Sequence, residues 1–126
     1  MDGKTMLFFE KHPDALPLYQ VLEQKILAML PDTVVKVQTS QISFYNRHLF
    51  ACVSFLKLRK KEKMPPSYLV LTLGLPYPLN SPKVEAVVEP YPNRWTHHII
   101  IQNTRQIDSE ILNWICEAAA FSNSKR

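Results

Sequence analysis

Glycine is almost missing from this chain: Gly3 and Gly74 are the only two in 126 residues. That excludes a GxGxxG dinucleotide loop and a GxxxxGK[ST] phosphate loop, which need clustered glycines where the backbone approaches a phosphate. Cysteine is as scarce. Cys52 and Cys116 lie in separate apolar stretches with no CxxC pair, and read as small buried hydrophobes in a reducing compartment. The four histidines form no HxxxH or HExxH spacing, so neither a metal nor a cofactor is expected. No Ser/His/Asp or Cys/His order carries a recognisable local signature. Long hydrophobic runs are absent too: nothing approaches the ~20 apolar residues of a membrane helix. The apolar patch at residues 7–9 is far too short for a signal-peptide core. The expected compartment is the cytoplasm.

What is present describes one globular domain over residues 1–126, with fraying expected at 1–7 and 122–126. The chain is 46% hydrophobic and 21% charged, which is ordinary globular usage. Its ten prolines gather in segments that read as stiff connections. The net charge of +4 invites a nucleic-acid reading, but its distribution argues against a basic face. Residues 57–63 (KLRKKEK) hold five cations and one acid, and elsewhere basic and acidic residues balance.

Apolar residues at Ala15, Leu18, Tyr19, Leu22, Ile26, Met29 and Leu30 follow the i, i+3/i+4 rhythm and predict a helix over about 15–30. Asp14 is placed to cap it and Pro17 falls at its third position. Runs rich in β-branched and aromatic residues predict strands at 33–38, 41–46, 49–56, 68–75, 83–89 and 95–102. No connection is long enough for a crossover helix, so the pairing should be antiparallel. Asp108 caps a last helix to about residue 121, with Ile107 and Leu112 at the positions of a hydrophobic staple. Its apolar stripe is Ile111, Trp114, Ile115, Ala118 and Phe121. The fold class is therefore α+β: an antiparallel sheet of about six strands with an N-terminal and a C-terminal helix packed on one face.

Two groups of side chains have ligand-binding character. In 89–98 (EPYPNRWTHH), Arg94 and Trp95 offer a cation and a stacking surface beside proline-stiffened turns. Arg94 also has Glu85 and Glu89 within reach in sequence as alternative ion-pair partners. His97 and His98 point to opposite faces of their strand, so one should face the core and the other stand half exposed. The second group is polar: Lys36 and Gln38 share one strand face, and Gln41, Ser43 and Tyr45 share another, opposite Val35, Val37, Ile42 and Phe44. The same pattern also describes the solvated side of a half-buried sheet.

The segments FFEKHPDALPLYQVL, VKVQTSQISFYNRHLFACVS, LVLTLGLP, VVEPYPNRWTHHIII and IDSEILNWICEA occur in that order. Taken together they resemble the small bacterial proteins of the domain-of-unknown-function family 5655, a group thought to be related to YdhG-like domains. The resemblance spans about residues 8–121 and is best at Lys36, at Gln41 to Phe44, at Phe50-Ala51 and at Arg94 to His98. It implies an α+β fold and a cytosolic protein, and brings no activity with it. The lysine-rich 57–63 segment looks peculiar to this chain.

These readings lead to a non-enzymatic binding domain for a small anionic or planar ligand, held by Lys36, Gln38, Tyr45, Arg94, Trp95 and His98 on the polar sheet face. That site requires the strands carrying 36–45 and 94–98 to lie within about two strand spacings (~10 Å) of each other. An interaction module using Lys57, Arg59, Lys60, Lys61 and Lys63 on nucleic acid or protein is the alternative. An enzyme with His98 as general base and Arg94 stabilising an anion is the third reading. No membrane partner is expected, and the sequence sets no oligomeric state.

Overall fold

A computed structural model describes residues 3–125. Three α-helices, α1 (Gly3–Phe8), α2 (Leu16–Met29) and α3 (Ser109–Ser124), accompany six strands: β1 (Val34–Val37), β2 (Ile42–Tyr45), β3 (Leu49–Ser54), β4 (Leu69–Leu75), β5 (Ala86–Tyr91) and β6 (Arg94–Ile101). They form one antiparallel sheet in the order β1-β2-β3-β4-β6-β5. The α+β fold expected from the sequence is the fold observed.

The strand order follows from burial. β6 ends in Ile99, Ile100 and Ile101, all buried, and such a run needs neighbours on both sides. β5 carries Pro90 and is mostly exposed, and proline is tolerated at a sheet edge because it has no N–H for the ladder. β6 therefore takes the interior place beside β4, and β5 closes the edge. The β5–β6 hairpin turns on Pro92 and Asn93, with Asn93 at φ 61°. A proline followed by a left-handed asparagine is the signature of a type II turn. The turn is thus shorter than the sequence suggests, because Pro90 and Tyr91 belong to β5.

Register assigns the two faces. One row runs Val35–Phe44–Ala51–Leu73–His97–Val87 and the next Lys36–Ser43–Cys52–Thr72–His98–Ala86. The first belongs to the helix-covered face, where Phe44, Leu71, Leu73 and Ile101 pack with Leu22 and Ile26 of α2 and Ile111, Trp114 and Ile115 of α3. Each large side chain buried there contributes about 1.5–3 kcal/mol of transfer free energy. The second row belongs to the open face. One end of that face carries a small cluster of Tyr68, Val70 and Ile100 covered by Leu58 and Met64 of the β3–β4 connection.

The helix ends depart from the sequence reading in instructive ways. A 3-10 turn at Pro13–Ala15 absorbs Asp14, so α2 starts at Leu16 without a side-chain cap and Pro17 falls in its first two positions. Asp108 does cap α3, its Oδ1 accepting from Ile111 N–H at 3.0 Å. α3 continues to Ser124 because Ser122 is fully buried. Its Oγ donates to Asn46 Oδ1 at 2.6 Å and accepts from His48 N–H at 3.1 Å, while Asn46 Nδ2 donates to Ala119 O at 2.8 Å. The last turn of α3 is thereby clipped to the β2–β3 loop. At the other end of the described residues, α1 buries Thr5, and Phe8 stacks on Phe55.

Candidate functional site

The six residues singled out from the sequence fall into two separate groups. Lys36, Gln38 and Tyr45 sit at the β1–β2 edge; Arg94, Trp95 and His98 lie on β6. Four ladder spacings separate β1 from β6 and three separate β2 from β6, or about 19 and 14 Å at ~4.8 Å per strand. The single six-residue site is not assembled, because β3 and β4 intervene. Which strands become neighbours depends on long-range burial, on which side-chain alternation is silent.

The edge group is satisfied internally. Lys36 Nζ lies 4.7 Å from the Tyr45 ring centroid, a cation–π contact. Gln41 Nε2 donates to Ser43 Oγ at 2.6 Å, and Ser43 Oγ donates to Gln38 Oε1 at 3.1 Å. These polar groups share the open face, as alternation requires, and largely pair with one another.

The two histidines divide as their adjacency demands. His97 is fully buried, and its Nε2 accepts from Leu79 N–H at 2.9 Å, so the ring is neutral with its proton on Nδ1. Burial pushes its pKa below the usual histidine range, and the neighbouring His98 charge acts the same way. This bond anchors the proline-rich segment 76–82 over the helix-covered side of β6. Tyr77 Oη donates to Glu117 Oε1 of α3 at 2.6 Å in the same segment, and the carboxylate beside it raises the Tyr77 phenol to about 12. Its far end is tied by Lys83 Nζ, 2.7 Å from both Asp108 and Glu110. His98 is half-buried on the open face, its Nδ1 2.9 Å from Thr72 Oγ1, and desolvation lowers its pKa also.

Around Arg94 and Trp95 the chain builds a pocket of about 280 Å³. It lies where β3 and β6 begin and β4 ends. Cys52, Thr72, Gly74 and Thr96 contribute from the open face, and Tyr91 and Pro90 from the edge hairpin. Phe121 and Lys125 reach it from the end of α3. Arg94 pairs with neither expected carboxylate: Glu85 is held by Arg59 at 2.7 Å, and Glu89 accepts from Asn93 N–H at 3.0 Å. Lys125 Nζ lies 4.5 Å from the Phe121 ring centroid. Burial, and then the nearby Arg94 charge, lower its pKa. Among the described residues neither cation has an ion-pair partner. Two close, uncompensated cations at an aromatic-walled pocket create a local positive potential that an anion relieves. The Cys52 thiol on the floor is pushed up by burial, partly offset by a hydrogen bond with Thr72, so it stays protonated and a poor nucleophile.

Lys125 and Phe121 are the members that sequence reasoning missed. Helical periodicity puts Phe121 in the apolar stripe, and Lys125 stands past the expected end of the helix. The local signal was Ser122, a polar residue at a stripe-adjacent position whose burial needs the partners that the β2–β3 loop supplies. The basic segment 57–63 lies away from the pocket. Arg59 is engaged by Glu85, and Lys61–Lys63 forms an exposed 3-10 turn.

The fold and the pocket together define a small antiparallel α+β domain with a cationic, aromatic cleft at one end of its sheet. The chain belongs to the family described as a domain of unknown function (DUF5655), whose model matches residues 5–124. No curated protein and no solved structure matches it. Among the described residues no helix is long and apolar enough to cross a membrane, and no group of three His, Cys, Asp or Glu side chains is placed to hold a metal ion.

Proposed function

We propose that this chain is a non-enzymatic binding domain of the bacterial cytoplasm that holds a small anionic ligand in the pocket between Arg94, Trp95 and Lys125. The observation that carries this reading is the pair of cations, without ion-pair partners among the described residues, at a pocket lined by Tyr91, Trp95 and Phe121. Charge-assisted hydrogen bonds from such groups bind an anion, and the aromatic side chains beside them offer a surface for an apolar part of the ligand. A binding role is favoured over catalysis because the polar groups nearby are engaged or inert. His98 Nδ1 is taken up by Thr72, and the Cys52 thiol is held protonated.

Isothermal titration with indole-3-acetate, benzoate and inorganic phosphate tests the proposal on the wild type and on the Arg94→Gln and Lys125→Gln variants. A lost charge-assisted contact costs roughly 1.5–3 kcal/mol, so each variant should weaken the aromatic anions by about tenfold or more. Equal affinity in all three proteins, or no binding of any probe to the wild type, overturns the proposal.

A further inference from the structure

We infer that the pocket selects a planar aromatic ring bearing one anionic group, with the ring seated on the bare β4 backbone at Gly74 and the charge directed to Arg94 and Lys125. This inference rests on the binding reading above and names the class of ligand for the same pocket.

Glycine inside a strand weakens it, since it has no side chain to pack and loses more freedom on folding than any other residue. Two structural demands ordinarily explain it. One is a positive φ, and no glycine among the described residues has one. The other is crowding, yet a methyl group built on Gly74 meets no atom within 4 Å. Neither demand operates. Gly74 pairs with Thr96, two residues along from the Thr72–His98 pair, so position 74 faces the open side, and Gly74 and Thr96 both line the pocket. The space that a side chain would fill is pocket space. Without it, a flat stretch of peptide is left exposed, the surface on which a flat ring makes the most van der Waals contact.

The remaining walls agree. Tyr91 and Phe121 also line the pocket, and the cations stand at the same mouth. Size narrows the class further. A cavity of about 280 Å³ is at the small end of the ~300–1,000 Å³ range of ligand pockets. It suits one or two fused rings and not a dinucleotide.

The test compares benzoate with cyclohexanecarboxylate, which match in charge and differ in planarity, and uses inorganic phosphate as the ring-free anion. Titrations are run on the wild type, Gly74→Ala and Gly74→Val, with a melting curve for each. The wild type should prefer benzoate. Gly74→Val should weaken benzoate by about tenfold or more, as overpacking a filled site does, while phosphate affinity holds and the melting temperature stays level or rises. Gly74→Ala, whose methyl has room in the empty pocket, carries the same comparison should valine disturb the sheet. Benzoate binding unchanged in both variants, or equal wild-type affinity for the two carboxylates, overturns the ring-on-Gly74 inference; the charge reading then stands if Arg94→Gln still weakens them. A wild type that binds none of the three probes overturns both.

Discussion

Acidification should destabilise this fold through His97, and by an amount that can be worked out. The ring is fully buried, and its Nε2 already accepts the Leu79 N–H. Protonation would set two N–H groups against each other in the core, so the folded protein resists it and the pKa lies below the usual histidine value, chiefly through burial. An unfolded chain has no such restraint and takes up the proton near pH ~6.5. The unfolded state thus binds more protons over that range, and stability rises with pH. The contribution is complete above about pH 6.5 and is lost as the pH falls from there toward the depressed folded value. The slope reaches about 1.4 kcal/mol per pH unit for one histidine, so by about pH 5.5 His97 alone accounts for a loss of up to ~1.4 kcal/mol. With an unfolding entropy of ~2.1 cal/mol/K per residue, that lowers the melting temperature by about 5 °C. His98, also shifted down by burial, adds in the same direction. Glu85 and Asp108 are held below the usual carboxylate range by Arg59 and Lys83 respectively, so their losses come at lower pH. Urea unfolding at about pH 7.5, 6.5 and 5.5, on the wild type and on His97→Gln, makes the measurement. The variant should show a visibly shallower fall. Parallel curves for the two proteins would refute the argument that a neutral, acceptor His97 carries the pH dependence.

Three further outcomes are expected. Ser122→Ala leaves the His48 N–H and Asn46 without their buried partner, at a cost of about 1–3 kcal/mol. It should also loosen the last turn of α3, and so weaken the binding of aromatic anions; chemical denaturation and titration of the same sample read both effects. Asp108→Ala removes the cap of α3 and should cost about 1 kcal/mol in urea unfolding. Replacing Lys57, Lys60, Lys61 and Lys63 together by Gln should leave the melting temperature and benzoate affinity unchanged, since none of these side chains is ion-paired among the described residues and none lines the pocket. If these lysines also contact nucleic acid, the salt dependence of DNA or RNA binding should flatten in that protein, by roughly one unit of slope per lost phosphate contact.

Part of the candidate site was legible. Arg94 and Trp95 stood out because a cation and an aromatic beside stiff turns is a short-range pattern. Their actual companions lie 20 to 31 residues away in sequence, at Gly74, Phe121 and Lys125, and no periodicity joins them. The companions expected instead, Lys36, Gln38 and Tyr45, were grouped by a face argument that was sound for each strand. It failed at the next level because sharing a face says nothing about how many strands intervene.

By itself the sequence determined the local structure: strands of antiparallel type, the apolar stripes of α2 and α3 apart from the exposed Met29 and the half-buried Phe121, the Asp108 cap, and the core-facing and open faces of β1, β2 and β6. Those features rest on side-chain alternation and capping chemistry, which act over a few residues. Tertiary structure decided the rest. Burial of the β6 isoleucines moved that strand inside β5, the Ser122 clip held the end of α3 at the sheet, and the two together brought Arg94 and Lys125 to one pocket over Gly74. Strand order and helix docking are set by the burial of the whole chain at once.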